Sequence, residues 1–263
     1  MKQKINEILE KISGYRLVRF HNNFYSQKYA ELIQQTVAMY KEVYQIDVGD
    51  FNAERLFLIS QLYGTSIPEA IYLLNYLGNS LRLDGDICEF GVAQGSTSAL
   101  LAHEIRRTTK NLWLFDSFEG LPAPTAKDVL EQPVNGFKSM KEFKGTMAYS
   151  VGFVKRKLQQ IQIPLERIKI VPGFVNETIK LPHLPEKVCF AYIDFDFYEP
   201  LIIALNFLNS RIAKGGCMMV DDYGSYFTGA KAAVDEFFDA NKDKYEQILP
   251  NQSAGYFCML VRK

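Results

Sequence analysis

The chain has 263 residues, 48% of them hydrophobic, enough to bury a large core, and no Gly/Ser/Pro-rich tract that would mark a linker. Thirty basic residues balance thirty acidic ones, which excludes the electrostatic footprint of a nucleic-acid or anionic-membrane binder and favours a small-molecule partner. Cys88, Cys189, Cys217 and Cys258 each lie in an apolar run without CxxC spacing, and no apolar stretch is long enough for a signal peptide or membrane span, so a soluble, reducing, cytoplasmic setting is expected.

Residues 1–80 read as an N-terminal helical cap. "INEILEKI", "KYAELIQQTVAMYKEVY" and "PEAIYLLNYLGN" repeat apolar residues at three and four, and Ser66 with Glu69 forms a capping-box pattern before the third. Tyr25, Tyr40 and Tyr63 are candidates for lining a substrate site, and the apolar faces of these helices are candidates for a homo-oligomer interface.

Residues 81–263 read as an α/β domain. "DICEFGV", "LWLFD", "IKIVPG", "VCFAYIDFD" and "CMMVDDYG" are short apolar runs separated by helical segments such as "STSALLAHEIRR", "PLIIALNFLNSRI" and "KAAVDEFFDANK". Continuous apolar strands alternating with helices predict a parallel sheet covered on both faces. The tail, "YEQILP" and "YFCMLVRK" around "NQSAG", predicts an antiparallel hairpin with a short turn at one edge. Residues 122–150 form a long polar insertion, readable as a lid or as a plain surface loop.

Ligands of such sheets bind at the carboxyl ends of the strands. After the first strand, "EFGVAQGSTS" supplies Glu89, then Gly91 and Gly95 for a tight turn, and Ser96 or Thr97 to cap the helix. The second strand ends at Asp116, about twenty residues on, where an acid can accept hydrogen bonds from vicinal ribose hydroxyls or simply cap the next turn.

Asp194 ends the fourth strand and Asp221-Asp222 the fifth, and neighbouring strands would bring these carboxylates together. Clustered negative charges need neutralising. Oxygen donors without histidine or thiolate suit Mg2+, Mn2+ or Ca2+ rather than zinc. Asp196 is expected to cap the helix beginning near Tyr198 instead. His103 and His183 read as structural or exposed.

In this order, "FGVAQGSTS", "LWLFDSFEGLPAP", "VPGFVNETI", "YIDFDFYEP" and "GGCMMVDDYG" resemble the macrocin O-methyltransferase family, over roughly residues 84–241. The resemblance implies a Rossmann-like class I methyltransferase sheet and methylation of a sugar or glycoside hydroxyl from S-adenosylmethionine with Mg2+ or Mn2+, as in natural product biosynthesis. It implies that Glu89, Gly91, Gly95 and Ser96 shape the cofactor site and that Asp116 and Ser117 hold its ribose. It also implies that Asp194, Asp221 and Asp222 hold the metal; beside it, Asp194 is the candidate general base, with Asp222 second. Phe195 stands where the family usually has glycine, and Pro200 where it has Ser-Thr after "YE", which points to a differently shaped acceptor pocket. A catechol-like or other vicinal-diol acceptor, or a non-catalytic cofactor- or glycan-binding module, are the competing readings.

Overall fold

The computed structural model describes residues 24–134, 136–161 and 163–263. The predicted helix at "INEILEKI" and the side chain of Tyr25 lie outside the described residues. Three helices come first: α1 (Phe24–Tyr44), α2 (Ala53–Ser60) and α3 (Ile67–Ser80). The expected capping box starts α3, with Ser66 and Glu69 each bonded to the other's backbone N–H. The sequence pattern did not disclose α2, which Asn52 caps by accepting from the amides of Glu54 and Arg55.

The sheet domain follows as β1 (Asp86–Phe90), α4 (Ser96–Ile105), β2 (Leu112–Asp116), α5 (Val151–Leu158), β3 (Ile168–Pro172), α6 (Val175–Thr178), β4 (Val188–Ile193), α7 (Tyr198–Asn209), β5 (Ile212–Val220), α8 (Gly229–Asn241), β6 (Tyr245–Ile248) and β7 (Cys258–Arg262). The seven strands lie in the order β3-β2-β1-β4-β5-β7-β6. β1 to β5 are mutually parallel, and β7 pairs antiparallel with β5 and with β6. The edge hairpin is therefore present, but its connection is the long segment 249–257 rather than a short turn. That segment packs back on α3: Ser66 Oγ donates to the Ala254 carbonyl at 3.0 Å, and the Phe257 ring meets Tyr72 edge-on at 5.2 Å.

β4 is buried along its whole length, because both faces of the sheet are covered. On one face Ile87, Leu112, Phe190 and Met219 pack with α3, α4 and α5; on the other Phe90, Ala191, Ile193 and Met218 pack with α7 and α8. All four cysteines are free and buried, as expected of core hydrophobes. Among the described residues, no helix is long and apolar enough to cross a membrane.

Candidate active site

Strand order reverses between β1 and β4, and at such a switch point the carboxyl ends of the strands open a crevice. A cavity of about 880 Å³ lies there, lined by Gly91–Gln94 after β1, Asp116 and Ser117 at the end of β2, Asp194–Asp196 after β4, and Asp221 and Asp222 after β5. Tyr63 and Gly64 reach it from the helical cap, and Phe143, Met147 and Tyr149 from the insertion. Of the three candidate tyrosines, Tyr63 is thus at the mouth and 78% exposed, whereas Tyr40 is buried away from the cavity.

The glycine turn is held by a close backbone contact. Gly91 has φ +88°, and a Cβ there would lie 1.8 Å from the Asp194 carbonyl oxygen, so no side chain fits. Gly95, at φ +75°, is the N-cap of α4; neither Ser96 nor Thr97 caps the helix, contrary to expectation, because each is already inside it. Ser96 lines the cavity, and its hydroxyl accepts from Lys157 Nζ at 3.0 Å.

Glu89 does not line the cavity. Strand alternation sends it to the same face as Ile87, where it is 1% exposed and bonded by Ser98 Oγ, while its Oε1 has no partner. Burial pushes its carboxyl well above the usual range, so Glu89 is held as a neutral acid under the turn.

Asp116 ties the turn to the β2 loop. Its Oδ2 accepts from the amides of Val92 at 2.7 Å and Ala93 at 3.0 Å, and its Oδ1 from Phe118 at 2.6 Å. A carboxylate has about four lone-pair sites, so three amides leave room for about one more donor. Ser117 lines the cavity as well, with its hydroxyl donating to the Gly120 carbonyl at 2.8 Å.

The acids converge, with one exchange of partners. Asp194, Asp196 and Asp222 bring carboxylate oxygens within 4.8 Å of one another. Asp196 is not the cap of α7; Asp128, from the insertion, takes that role by accepting from the Tyr198 amide at 2.7 Å. Asp221 is adjacent but turned aside: Tyr192 Oη lies 2.9 Å from its Oδ2 and 2.8 Å from Glu69 Oε1. A hydroxyl has one hydrogen, which Tyr192 can donate to only one of the two carboxyls at a time. Burial pushes Glu69 up to about 7 and Asp221 well above its usual value. Asp194 and Asp196 are raised too, by burial first and then by their acidic neighbours. All-oxygen donors that resist ionising together without a cation form a set suited to Mg2+, Mn2+ or Ca2+.

The backbone is unusual at the same places. Seven non-glycine residues have positive φ among the described residues, and four of them, Ala93, Met147, Asp196 and Asp222, line this cavity. Such conformations cost about 1–3 kcal/mol each and concentrate at functional sites. Among the described residues the histidines are elsewhere: His103 is buried between Glu54 and Glu104 at the α2–α4 junction, and His183 does not line the cavity.

Comparison with protein families matches residues 79–256 to the macrocin O-methyltransferase (TylF) model. The chain belongs to the macrocin O-methyltransferase family. Relatives within reach of that family include the 8-demethyl-8-(2,3-dimethoxy-alpha-L-rhamnosyl)-tetracenomycin-C 4'-O-methyltransferase of Streptomyces olivaceus, 29% identical over 143 residues that make up 53% of each chain. Demethyldecarbamoylnovobiocin O-methyltransferase of Streptomyces niveus is 31% identical over 169 residues, 61% of this chain and 60% of that one. The chain thus spans between about half and three-fifths of the length of these curated relatives. Among solved structures, the O-methyltransferase NovP superposes with a TM-score of 0.66 at 20% identity, covering 90% of this chain and 99% of that chain, and the calicheamicin methyltransferase CalS11 with 0.58 at 20%, covering 92% and 94%. Both share the Rossmann-like class I methyltransferase fold. Within this macrocin-type frame, Phe195 and Pro200, the two departures noted in the sequence, both line the cavity, and Phe195 sets its ring edge-on to Phe90 at 5.8 Å.

Proposed function

We propose that this protein transfers a methyl group from S-adenosylmethionine to a hydroxyl of a sugar or glycoside, assisted by a divalent cation. The observation that carries the reading is the meeting of Asp194, Asp196 and Asp222 in a cavity at the switch point, beside the glycine turn and Asp116. The family membership and the rhamnosyl-directed relative from Streptomyces olivaceus support the same choice.

In this reading Gly91–Gln94, Ser96 and Asp116 border the cofactor, Asp116 offering its remaining acceptor site to a ribose hydroxyl. Asp194 and Asp222 would hold the cation with Asp196 as the third oxygen; Asp221, expected from the sequence in that role, stands behind them through Tyr192 and Glu69. When bound, the cation would act as a Lewis acid and a template, acidifying and orienting one of two neighbouring hydroxyls. Asp194, with Asp222 second, would take the hydroxyl proton. Closure of the cavity by Tyr63 and the insertion would keep water away and align the acceptor oxygen with the sulfonium methyl.

The test is transfer of labelled methyl from S-adenosylmethionine to a panel of glycosides and phenols, with and without chelator. Transfer to glycosides that chelator abolishes and Asp194→Asn reduces is expected. Full activity in chelator would sink the metal role, and transfer to phenols alone would replace the sugar by a catechol-like acceptor. Cofactor binding without turnover on any diol would leave a binding module.

A further inference from the structure

The amino-acid arm of S-adenosylmethionine ends in a carboxylate, and the main cavity offers that group little positive charge: Lys144 is the one basic residue among its described lining. Lys144 belongs to a stretch bonded to the loop after β2, where the Leu121 amide reaches the Thr146 carbonyl at 3.0 Å and the Gly145 amide the Leu121 carbonyl at 2.9 Å. The transferred methyl, however, has to reach the acids after β4 and β5. With the ribose at Asp116, the sulfur and the arm beyond it therefore lie toward β1 and β4, over the glycine turn and the start of α4, and away from the loop that carries Lys144.

Another cation stands there, behind the wall. Lys157 of α5 lines a second cavity, of about 420 Å³, which shares Gln94 and Ser96 with the first. From that side its Nζ donates to Ser96 Oγ at 3.0 Å. An ammonium can only donate, so Ser96 is the acceptor in this bond and keeps its own hydrogen for another partner. Ser96 is 6% exposed, yet among the described residues nothing accepts that hydrogen, and a buried donor left unpaired is costly. Lys157 is equally unmatched. Among the described residues it has no carboxylate partner, and its other contact is the Phe153 ring at 5.8 Å. Glu54, the acid of the second cavity, is taken by His103 at 3.2 Å and by Arg106 at 2.5 Å. Burial lowers the Lys157 pKa, with no neighbouring acid to hold it up.

We propose that Lys157 is a positioning residue for the cofactor: its ammonium fixes the Ser96 hydroxyl as a donor to the methionine carboxylate and supplies the charge behind that bond. The inference rests on the methyl-transfer reading and extends it to a residue outside the lining of the main cavity. A carboxylate held at Ser96 and a ribose held at Asp116 would restrain the sulfonium from both sides, which is what alignment with the acceptor oxygen requires.

The test is calorimetric titration of the full chain with two ligands that differ in one group, S-adenosylhomocysteine and S-adenosyl-3-thiopropylamine, which lacks only the carboxyl. Lys157→Met should weaken S-adenosylhomocysteine by about tenfold, as expected for a lost charge-assisted bond, and leave the propylamine unchanged within about twofold. Retained propylamine binding also shows that the variant is folded. Lys157→Arg, which keeps the charge, should hold most of the affinity for S-adenosylhomocysteine. Ser96→Ala should repeat the selective loss, and the Ser96→Ala, Lys157→Met double variant should lose little more than Ser96→Ala alone, because the two groups act as one chain. If Lys157→Met binds S-adenosylhomocysteine as tightly as the wild type, or loses both ligands alike, the proposal is overturned while the methyl-transfer reading stands. Failure of the wild type to bind either ligand would overturn both.

Discussion

Replacing Gly91 by alanine tests whether the strand-end geometry at the site is set by backbone contact. The left-handed φ of +88° costs an L-residue about 1–2 kcal/mol. The added Cβ, 1.8 Å from the Asp194 carbonyl oxygen, must also push β1 and β4 apart, which strains the bond from the Asp194 amide to the Phe90 carbonyl, worth about 1 kcal/mol, and overpacks a tight strand end at about 1–3 kcal/mol. The sum is about 3–6 kcal/mol. Gly95→Ala is the internal control: it has a similar φ of +75°, but its nearest neighbour is a Val154 methyl at 3.0 Å, which can rotate, so about 1–2 kcal/mol is expected. Urea unfolding followed by the fluorescence of Trp113, the one tryptophan, gives both values. If Gly91→Ala loses no more stability than Gly95→Ala, the contact with Asp194 is not what demands glycine.

Three further outcomes follow from the geometry. Mg2+ should raise the Tm of the wild-type protein in a concentration-dependent way, as any ligand of the native state does, and Asp194→Asn or Asp222→Asn should abolish that rise while Asp221→Asn weakens it less; equal loss in all three would restore Asp221 as a direct ligand. Glu89, with its native pKa raised, contributes stability that is full below its unfolded pKa of about 4.3 and drains away as pH rises through the native value. Glu89→Gln should therefore gain on the wild type as pH rises from about 4.3, and a pH-independent difference in urea midpoints would refute the buried neutral acid. Asp128→Ala removes acceptors for the Tyr198 amide at 2.7 Å, the Thr125 amide at 2.6 Å and the Thr125 hydroxyl at 2.8 Å, so a loss of about 2–4 kcal/mol is expected from the cap and the orphaned donors; a loss under about 0.5 kcal/mol would mean that the insertion does not anchor α7.

The sheet was legible because its strands are continuous apolar runs that end in Gly, Asp or Pro, which is how fully covered parallel strands must read. The strand-end residues were legible for the same reason, since a parallel sheet directs attention to its carboxyl edge. What escaped notice depended on distant partners. α2 is eight residues long, and its Arg55 is held by Glu104 across the α2–α4 junction, a contact with no local signature. Asp128 lies in a polar insertion and caps a helix seventy residues away in sequence. The 249–257 segment reads as a turn, and only its contacts with Ser66 and Tyr72 give it length and place. Glu89, next to last in β1, is turned by alternation beneath the cavity floor, which its place near the strand end does not disclose.

Asp196 shows why alternation fails at the site itself, and how to test the acids without disturbing the chain. Past Ile193 the strand stops, and Asp196 takes φ +56°, as Asp222 does with +58° beyond β5. A left-handed residue swings its side chain out of the strand's two-sided pattern, so both carboxylates point into the cavity instead of under a helix. Asp and Asn tolerate that conformation better than other L-residues. Asparagine at either position keeps the backbone and removes the charge, whereas alanine removes the charge and adds strain. Asp196→Asn and Asp222→Asn should therefore lose Mg2+ response with little loss of stability, and the alanine variants should lose both. If asparagine and alanine are equally destabilising, the left-handed backbone is not held by these residues, and the convergence of the acids must be owed to the helices around them.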